Sequence, residues 1–104
     1  MVAVDKVNFE DEVLKTDGLV LVDFWSQKCE PCLALTPAIH ALSEKYADKA
    51  KFCTLDAGTN KRLSISQKVM GLPTVAFYRG GEKVAELNQS FTAEDVEVKL
   101  KELA

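Results

Sequence analysis

Two cysteines lie two residues apart in the stretch WSQKCEPC, residues 25–32, directly after a run of apolar residues. A thiol pair at this spacing supports one of three chemistries: it binds a metal ion, it forms a structural cross-link, or it opens and closes as a redox-active disulfide. A structural zinc site needs about four ligands, and only Cys53 and His40 could complete the set. His40 lies two turns beyond Cys32 in the helix predicted there, roughly 12 Å along the axis, so we expect no metal site.

The position of the cysteine pair in the chain favours the redox chemistry. Leu19–Trp25 is almost free of polar side chains, which is typical of a strand covered on both faces, and Glu30–Tyr46 has helical periodicity. Cys29 therefore lies where a strand leads into a helix, and free backbone N–H groups and the helix dipole stabilise an anion there. We expect Cys29 to attack as a thiolate and Cys32, one turn deeper, to resolve the mixed disulfide. Pro31 between them suits a first helical turn.

The segments before and after the pair alternate between strand-like and helix-like patterns. The sequence predicts a short edge strand at Val2–Val4 and a helix at Phe9–Lys15 that is capped by Asn8. The helix after the cysteines has one apolar stripe at helical spacing and contains a proline, where we expect a kink. The stripe comprises Leu35, Ile39, Leu42 and Tyr46, and the proline is Pro37.

The second half of the chain adds two helices and three strands. The sequence predicts a strand at Lys51–Asp56 and a helix near Asn60–Gln67. Thr74–Tyr78 and Lys83–Leu87 flank two glycines, which indicates a tight hairpin. Thr92, with an acid three residues later, is typical of a capping box that begins a final helix. The apolar face of that helix comprises Val96, Leu100 and Leu103. The order β-α-β-α-β-α-β-β-α predicts a mixed central sheet with helices on both sides.

Size and composition are those of one ordinary globular domain. The chain has 104 residues, 47% of them apolar, and a formal net charge of −3. Acids and bases are mixed along it, without a basic stripe for phosphates, so we expect no nucleic-acid partner. The longest apolar run, Leu19–Val22, is too short to span a bilayer, and the start MVAVDKVNFED lacks a signal-peptide pattern. We therefore expect a monomeric cytoplasmic protein without membrane contact, and a reducing compartment disfavours a structural disulfide.

Three stretches resemble the thioredoxin family in their order and spacing: LVLVDFWSQKCEPC, then GLPT, then the hairpin RGGEKV. The likeness extends over nearly the whole chain and implies one thioredoxin domain over residues 1–104. The implied fold is α/β, a thioredoxin fold with a central mixed sheet of four to five strands flanked by about four α-helices. The implied activity is dithiol–disulfide exchange with Cys29 as nucleophile and Cys32 as resolving thiol. Disulfide-containing client proteins and a thioredoxin reductase are the implied partners, and no cofactor is implied.

The resemblance also implies supporting roles for residues near the pair. Asp23 corresponds to the family's general base for the buried cysteine; burial should raise its pKa, and the alternative is a side chain that escapes to water. Pro73 corresponds to the family's cis-proline, and the backbone around it, at Leu72 and Thr74, lies at the substrate-binding position. Trp25 corresponds to the aromatic residue that packs beneath the disulfide, although an indole in the core would look the same in sequence.

Several positions depart from the family pattern. Lys28, Glu30 and Leu33 stand where the family has a tryptophan, a glycine and a basic residue around the nucleophile. Lys28 favours the thiolate and Glu30 disfavours it, and both are expected at the surface. Phe52 is aligned with a lysine that the family often carries near the buried aspartate, and Gln89 with a glycine that lets the substrate backbone approach. These changes predict an atypical thioredoxin with a Cys-Glu-Pro-Cys motif and its own reductase or a restricted client set.

Three functions remain to be distinguished. Reduction of client disulfides fits the resemblance and the expected compartment. A thiol oxidase or isomerase would run the same chemistry in another direction, and the predicted cytoplasmic location disfavours it. A binding module would use the fold without turnover, which the cysteine pair, Asp23 and Pro73 disfavour. Cys53 is most simply an inert buried thiol and His40 a residue of the helix surface, and neither is assigned a role.

Overall fold

One five-stranded sheet organises the protein, and the computed structural model describes all 104 residues. The strands are β1 (Val2–Val4), β2 (Leu19–Trp25), β3 (Ala50–Asp56), β4 (Thr74–Arg79) and β5 (Glu82–Asn88). Their order across the sheet is β1-β3-β2-β4-β5. β1, β3 and β2 are parallel, whereas β4 runs antiparallel to β2 and to β5. The predicted mixed sheet and the predicted order of elements are both confirmed.

Three α-helices and one π-helical segment cover the two faces of this sheet. They are the π-helical segment Glu10–Leu14, α1 (Glu30–Lys45), α2 (Lys61–Ser66) and α3 (Ala93–Leu103). Apolar side chains of the π-helical segment and α2 join the core on one face, and those of α1 and α3 join the core on the other. Four helical segments on both sides of a five-stranded mixed sheet agree with the fold that the family resemblance implies.

The central strand β2 divides the core in two. Residues 19–24 are all buried, as expected for a strand covered on both faces. Because successive side chains of a strand point to opposite faces, Val20, Val22 and Phe24 enter the core beneath α2, while Leu19 and Leu21 enter the core beneath α1 and α3. Asp23 continues the second set, so its carboxyl group lies on the face that α1 covers.

The first helical segment differs from its prediction. The side chain of Asn8 does not cap the helix in the usual way; its Oδ1 accepts the N–H of Asp5 at 2.7 Å. Oδ1 of Asp5 in turn accepts the N–H of Asn8 at 3.3 Å and that of Val7 at 2.8 Å. This reciprocal pair is the arrangement of a capping box with Asp5 as the cap and Asn8 three residues later, so the turn begins three residues earlier than predicted. The regular part is π-helical and spans only Glu10–Leu14.

Helix α1 packs as its sequence pattern predicts. Ile39 and Leu42 are buried in the core between α1, α3 and the sheet, and Leu35 and Tyr46 pack against the same cluster. Pro37 lies inside the helix. Tyr46 also donates its hydroxyl proton to Glu97 of α3 at 2.7 Å, so the two helices on this face are joined by a polar contact at the edge of the apolar one.

The C-terminal hairpin and helix also follow their predictions. Gly80 and Gly81 have φ angles of 62° and 83°, the left-handed conformation that a side chain disfavours, and they form the tight turn between β4 and β5. The capping box at the start of α3 is present: Thr92 Oγ1 accepts the Asp95 N–H at 3.2 Å, and the Asp95 carboxylate accepts the Thr92 N–H at 2.9 Å. None of the helices has the length and apolar character that crossing a bilayer requires.

Candidate active site

The two cysteines lie at the junction between β2 and α1. After β2 ends at Trp25, a short loop leads to Cys29, which is the N-cap residue of α1, and Cys32 lies in the first turn of the helix. The two sulfur atoms form a disulfide, with the Cα atoms 5.2 Å apart. Sγ of Cys29 also accepts the backbone N–H of Cys32 at 3.2 Å. A free amide of the helix end therefore points at the sulfur on which negative charge develops when the disulfide opens.

The two sulfur-bearing residues differ in their access to solvent. Cys29 is half-buried, whereas Cys32 is 1% exposed. A disulfide in another protein can therefore reach Cys29 but not Cys32. Pro31 lies between them, exposed, in the first turn of α1, where its missing N–H costs no helical hydrogen bond. This difference in exposure suits Cys29 as the thiol that attacks a client disulfide and Cys32 as the thiol that resolves the mixed disulfide.

The residues that depart from the family pattern surround Cys29 at the surface, as expected. Lys28 and Glu30, its two chain neighbours, are both exposed, and neither forms an ion pair within the protein. Leu33 is also exposed, at 46%. A positive charge, a negative charge and an apolar side chain are thus presented to any partner that approaches the disulfide.

Asp23 is the buried carboxyl group of the site. Its side chain is 4% exposed, so the alternative of a carboxylate that escapes to water is wrong. Burial raises its pKa from the ordinary 3.8 to about 7, and no neighbouring cation counteracts this. The carboxyl group borders a cavity of about 280 Å³, which opens beside the first turns of α1. The cavity is lined by Asp23, Trp25, Leu33, Thr36 and Thr54.

The neighbour of Asp23 on β3 is Thr54, which corrects the alignment made from the sequence. In the parallel pairing of β2 with β3, Asp23 is opposite Thr54, and Phe52 is opposite Leu21. Phe52 is buried in the apolar core and does not line the cavity at Asp23. The error is a shift of two residues, which keeps the same strand face because side chains alternate with a period of two. Thr54 is uncharged, so the expected absence of a cation beside Asp23 holds.

The loop before β4 lies at the same end of the sheet as the disulfide. The Leu72–Pro73 peptide bond is cis, as the resemblance implies. Thr74 is 1% exposed and its hydroxyl donates to the Gly71 carbonyl at 2.7 Å, so this side chain holds the loop together and does not face a client. Leu72 is half-buried, and neither its N–H nor its C=O makes a hydrogen bond within the protein. Those two groups are free to pair with another extended chain.

Gln89 occupies a backbone conformation that favours glycine. Its φ angle is 61°, and its N–H donates to the Pro73 carbonyl at 2.8 Å, which ties the end of β5 to the loop. Its side-chain amide lies over Gly71: a Cβ placed on Gly71 would be 2.6 Å from Nε2 of Gln89. The side chain therefore covers part of the loop surface where a glycine would leave the backbone open, as expected from the sequence.

The known proteins that are similar to this chain are thioredoxins. The family model for thioredoxin matches residues 1–102. A thioredoxin from Acetoanaerobium sticklandii is 47% identical over 102 residues, which are 97% of each chain. A thioredoxin from Peptoclostridium acidaminophilum is 45% identical over 89 residues, covering 86% of this chain and 81% of that protein. A thioredoxin from Pseudomonas aeruginosa is 35% identical over 94 residues, covering 86% and 87% of the two chains.

The chain belongs to the thioredoxin family. With a cysteine pair that is closed as a disulfide at a helix N-terminus, it is a dithiol–disulfide oxidoreductase. Both electrons of the exchange reside on the two sulfur atoms, so the pair itself carries the chemistry.

The remaining thiol and the histidine lie apart from the thioredoxin pair. Cys53 is fully buried in β3, where desolvation raises its pKa to about 11, so it is a poor nucleophile. His40 is exposed on α1, with Nε2 3.6 Å from Glu44 one turn later. No group of three or more His, Cys, Asp or Glu side chains converges in the structure.

Sequence reasoning missed three residues that shape this thioredoxin site. Thr54 and Thr36 line the cavity at Asp23, and the Thr36 hydroxyl donates to the Cys32 carbonyl at 3.1 Å. Gly71 lies beneath the Gln89 amide. The spacing of Thr36, four residues after Cys32 on one helix face, was the only sequence signal that could have indicated any of them.

Proposed function

We propose that the chain is a single thioredoxin domain, residues 1–104, that reduces disulfide bonds in client proteins. The observation that supports this most is the arrangement of the pair: a reachable Cys29 sulfur that accepts a helix N-terminal N–H, and an unreachable Cys32 behind it. The protein acts as a monomer in the cytoplasm, where a reducing environment keeps the pair available as a dithiol.

The reduction proceeds in two exchanges. The Cys29 thiolate attacks one sulfur of the client disulfide, a new sulfur–sulfur bond forms, and the second client sulfur leaves as a thiolate that takes up a proton. Cys32 then loses its proton to Asp23 and attacks the Cys29 sulfur, which releases the reduced client. The domain ends as the Cys29–Cys32 disulfide, having given two electrons to the client.

Asp23 is suited to the role of general base because its pKa is about 7. A base with a pKa near the working pH is present in part as the carboxylate and still binds a proton firmly enough to remove it from a thiol. The cavity beside Asp23 gives the proton a route to solvent, because it reaches the carboxyl group from the surface near Leu33. Trp25, which lines the same cavity, is half-buried and limits how much water enters.

The client chain lies in extended form across the loop before β4. The unpaired N–H and C=O of Leu72 form two backbone hydrogen bonds with it, as in strand addition to a sheet edge. We propose that Pro31 and Gln89 also contact this chain, while the Pro73 carbonyl, which accepts the Gln89 N–H, holds Leu72 in place. Thr74 contributes to binding only by fixing the Gly71 carbonyl.

The exposed departures around Cys29 restrict the partners. Lys28 and Glu30 place opposite charges on the two sides of the nucleophile, and Gln89 covers backbone that a glycine would leave free. A partner that fits must complement both charges and tolerate the Gln89 amide over Gly71, so we propose a dedicated reductase or a limited set of clients. Equal rates with a standard thioredoxin reductase and with unselected protein disulfides would contradict this restriction.

Trapping of the mixed disulfide tests the proposed function. In a Cys32→Ser variant the second exchange cannot occur, so the reduced domain should accumulate as a covalent adduct with a client disulfide, detected by mass spectrometry. The matched Cys29→Ser variant keeps only the buried thiol of the pair, Cys32, and the buried thiol of Cys53, so it should form no adduct. Adducts with both variants would contradict the assignment of nucleophile and resolving thiol. Client binding by Cys29→Ser at wild-type affinity, with no turnover by the wild type, would support a binding module instead.

A further inference from the structure

A groove with basic walls borders the loop that leads to Cys29, on the side of β3. Its larger part, about 440 Å³, lies between the loop before Cys29 and the loop after β3, and Leu72 forms one edge. A second part, about 300 Å³, adjoins it at the start of α2. The two parts share Gly58, Thr59 and Lys61 along their border, and together we call them the basic groove.

The charge of the basic groove differs from that of the whole protein. The chain has a net charge of −3, yet four cationic side chains line the groove and only one carboxylate does. The carboxylate is Asp56, and its Oδ1 already accepts the Gly58 N–H at 2.9 Å. The four cations are Lys6, Lys28, Lys61 and Arg62.

All four cations are exposed, and none of them forms an ion pair within the protein. Five other lysines form ion pairs with Asp or Glu side chains elsewhere on the surface: Lys15, Lys45, Lys51, Lys83 and Lys99. Half of the cations that form no ion pair therefore line the basic groove, where they attract a segment of opposite charge.

The neighbouring surface of the basic groove is apolar. A smaller depression of about 170 Å³ shares Lys61 and Leu72 with the groove and is lined by Ile65 and Met70. These two side chains are 58% and 80% exposed. The free N–H and C=O of Leu72 lie where the basic and the apolar surfaces meet, so an extended chain paired with Leu72 passes directly beside the basic groove.

We propose that the basic groove binds an acidic segment of the client, with two or more Asp or Glu residues close in sequence to the disulfide cysteine. The inference rests on the proposed function, because the client must be held while Cys29 attacks its disulfide. Four cations suffice for a short acidic peptide, and the groove has no aromatic side chain on which a nucleic-acid base could stack. Because the lysines are exposed, the attraction acts mainly on the encounter rate and weakens with salt.

Two matched peptide substrates test this proposal. Each carries the same disulfide, with glutamates on one flank in the first peptide and glutamines at the same positions in the second. The readout is the ratio of the second-order rate constants for their reduction by the fully reduced protein. At low ionic strength we expect the acidic peptide to react about tenfold faster, and we expect this preference to vanish at high salt.

Charge-reversal variants assign the preference to the groove. In the double variant Lys61→Glu/Arg62→Glu the ratio should fall to one or below. The control Lys49→Glu/Lys101→Glu makes the same change of charge at two exposed lysines that form no ion pair and lie away from the disulfide, and it should keep the ratio. Circular dichroism of both variants checks that the fold is unchanged.

The outcomes separate the two proposals. If the wild type reduces neither peptide, the proposed function fails. If it reduces both at equal rates, or if the control variant lowers the ratio as much as the groove variant, the acidic-client proposal is overturned and the proposed function stands. A groove variant that only slows regeneration by a thioredoxin reductase, with an unchanged ratio, would also overturn it.

Discussion

Replacing Asp23 with asparagine removes a charge that the folded protein holds at a cost. The carboxyl group is 4% exposed, and burial raises its pKa from 3.8 to about 7. The folded-state pKa is the higher one. Below pH 3.8 the group is protonated in both the folded and the unfolded chain, so its ionisation does not lower the free energy of unfolding there. As pH rises above 3.8 the unfolded chain ionises first, so the free energy of unfolding falls until about pH 7, above which the cost is constant.

The size of this cost follows from the shift. A difference of about three pKa units corresponds to ~4 kcal/mol at pH values above the folded pKa, with ~1.4 kcal/mol for each unit. Water in the adjoining cavity screens part of it, so this is an upper value. Asp23→Asn keeps the shape of the side chain without the charge, and should therefore be more stable than wild type by up to ~4 kcal/mol at pH 8.5, by ~2 kcal/mol at pH 5, and not at all at pH 3.5.

Equilibrium unfolding in guanidinium chloride at these three pH values measures the difference, with the disulfide closed in both proteins. Asp48→Asn is the matched control, because Asp48 is exposed in a loop and its replacement should change stability by less than about 0.5 kcal/mol at any pH. The same Asp23 substitution should slow release of the mixed disulfide at least about tenfold at pH 7, since the general base is lost. Equal stability of Asp23→Asn and wild type at pH 8.5 would refute the reasoning.

Three further predictions concern Gln89, the third cysteine and the last helix. Gln89→Gly should change the free energy of unfolding by less than about 1 kcal/mol, because glycine adopts the φ of 61° without strain, while raising the rate with client peptides. Gln89→Ala, which keeps the strain, should be less stable than Gln89→Gly in urea, and the reverse order would contradict the account. Iodoacetamide should alkylate Cys29 quickly in the reduced native protein and leave Cys53 unmodified, since Cys53 is fully buried with a pKa of about 11; peptide mass mapping checks this, and fast labelling of Cys53 would contradict it. Thr92→Ala removes the capping box and should cost about 1 kcal/mol in thermal unfolding, and an unchanged melting temperature would show that the cap does not limit stability.

The sequence predicted those features that depend on local pattern. The strand Leu19–Trp25 and the start of the helix at Glu30 were correct to the residue, because a run of apolar residues ends at a polar loop and a proline marks the first turn. From these two elements the position of Cys29 at a helix N-terminus followed directly. The predicted cap of the first helix was wrong because Asp5 and Asn8 bind each other's backbone N–H groups, so the turn begins at Asp5, and the sequence pattern alone does not show which of the two polar residues begins it.

Features that depend on how distant segments meet required the structure. Thr54 is paired with Asp23 by strand register, and a slip of two residues leaves the periodicity unchanged, so Phe52 fitted the sequence pattern equally well. The basic groove combines Lys6, Lys28 and Lys61 from three separate segments, which are ordinary surface residues in the sequence and become neighbours only through the fold. The Gln89 amide lies over Gly71, and this contact likewise joins two segments that are distant in sequence, the end of β5 and the loop before β4.

The reduction potential of the Cys29–Cys32 pair tests the central claim most directly. The protein is equilibrated in buffers of defined redox potential, free thiols are alkylated, and the oxidised fraction is read by mass spectrometry. We predict one reversible two-electron transition, close to the value of about −270 mV at which thioredoxins act as reductants. A pair that never closes, or one with a potential near about −120 mV, where disulfide oxidases operate, would contradict the assignment of this domain as a reductant of client disulfides.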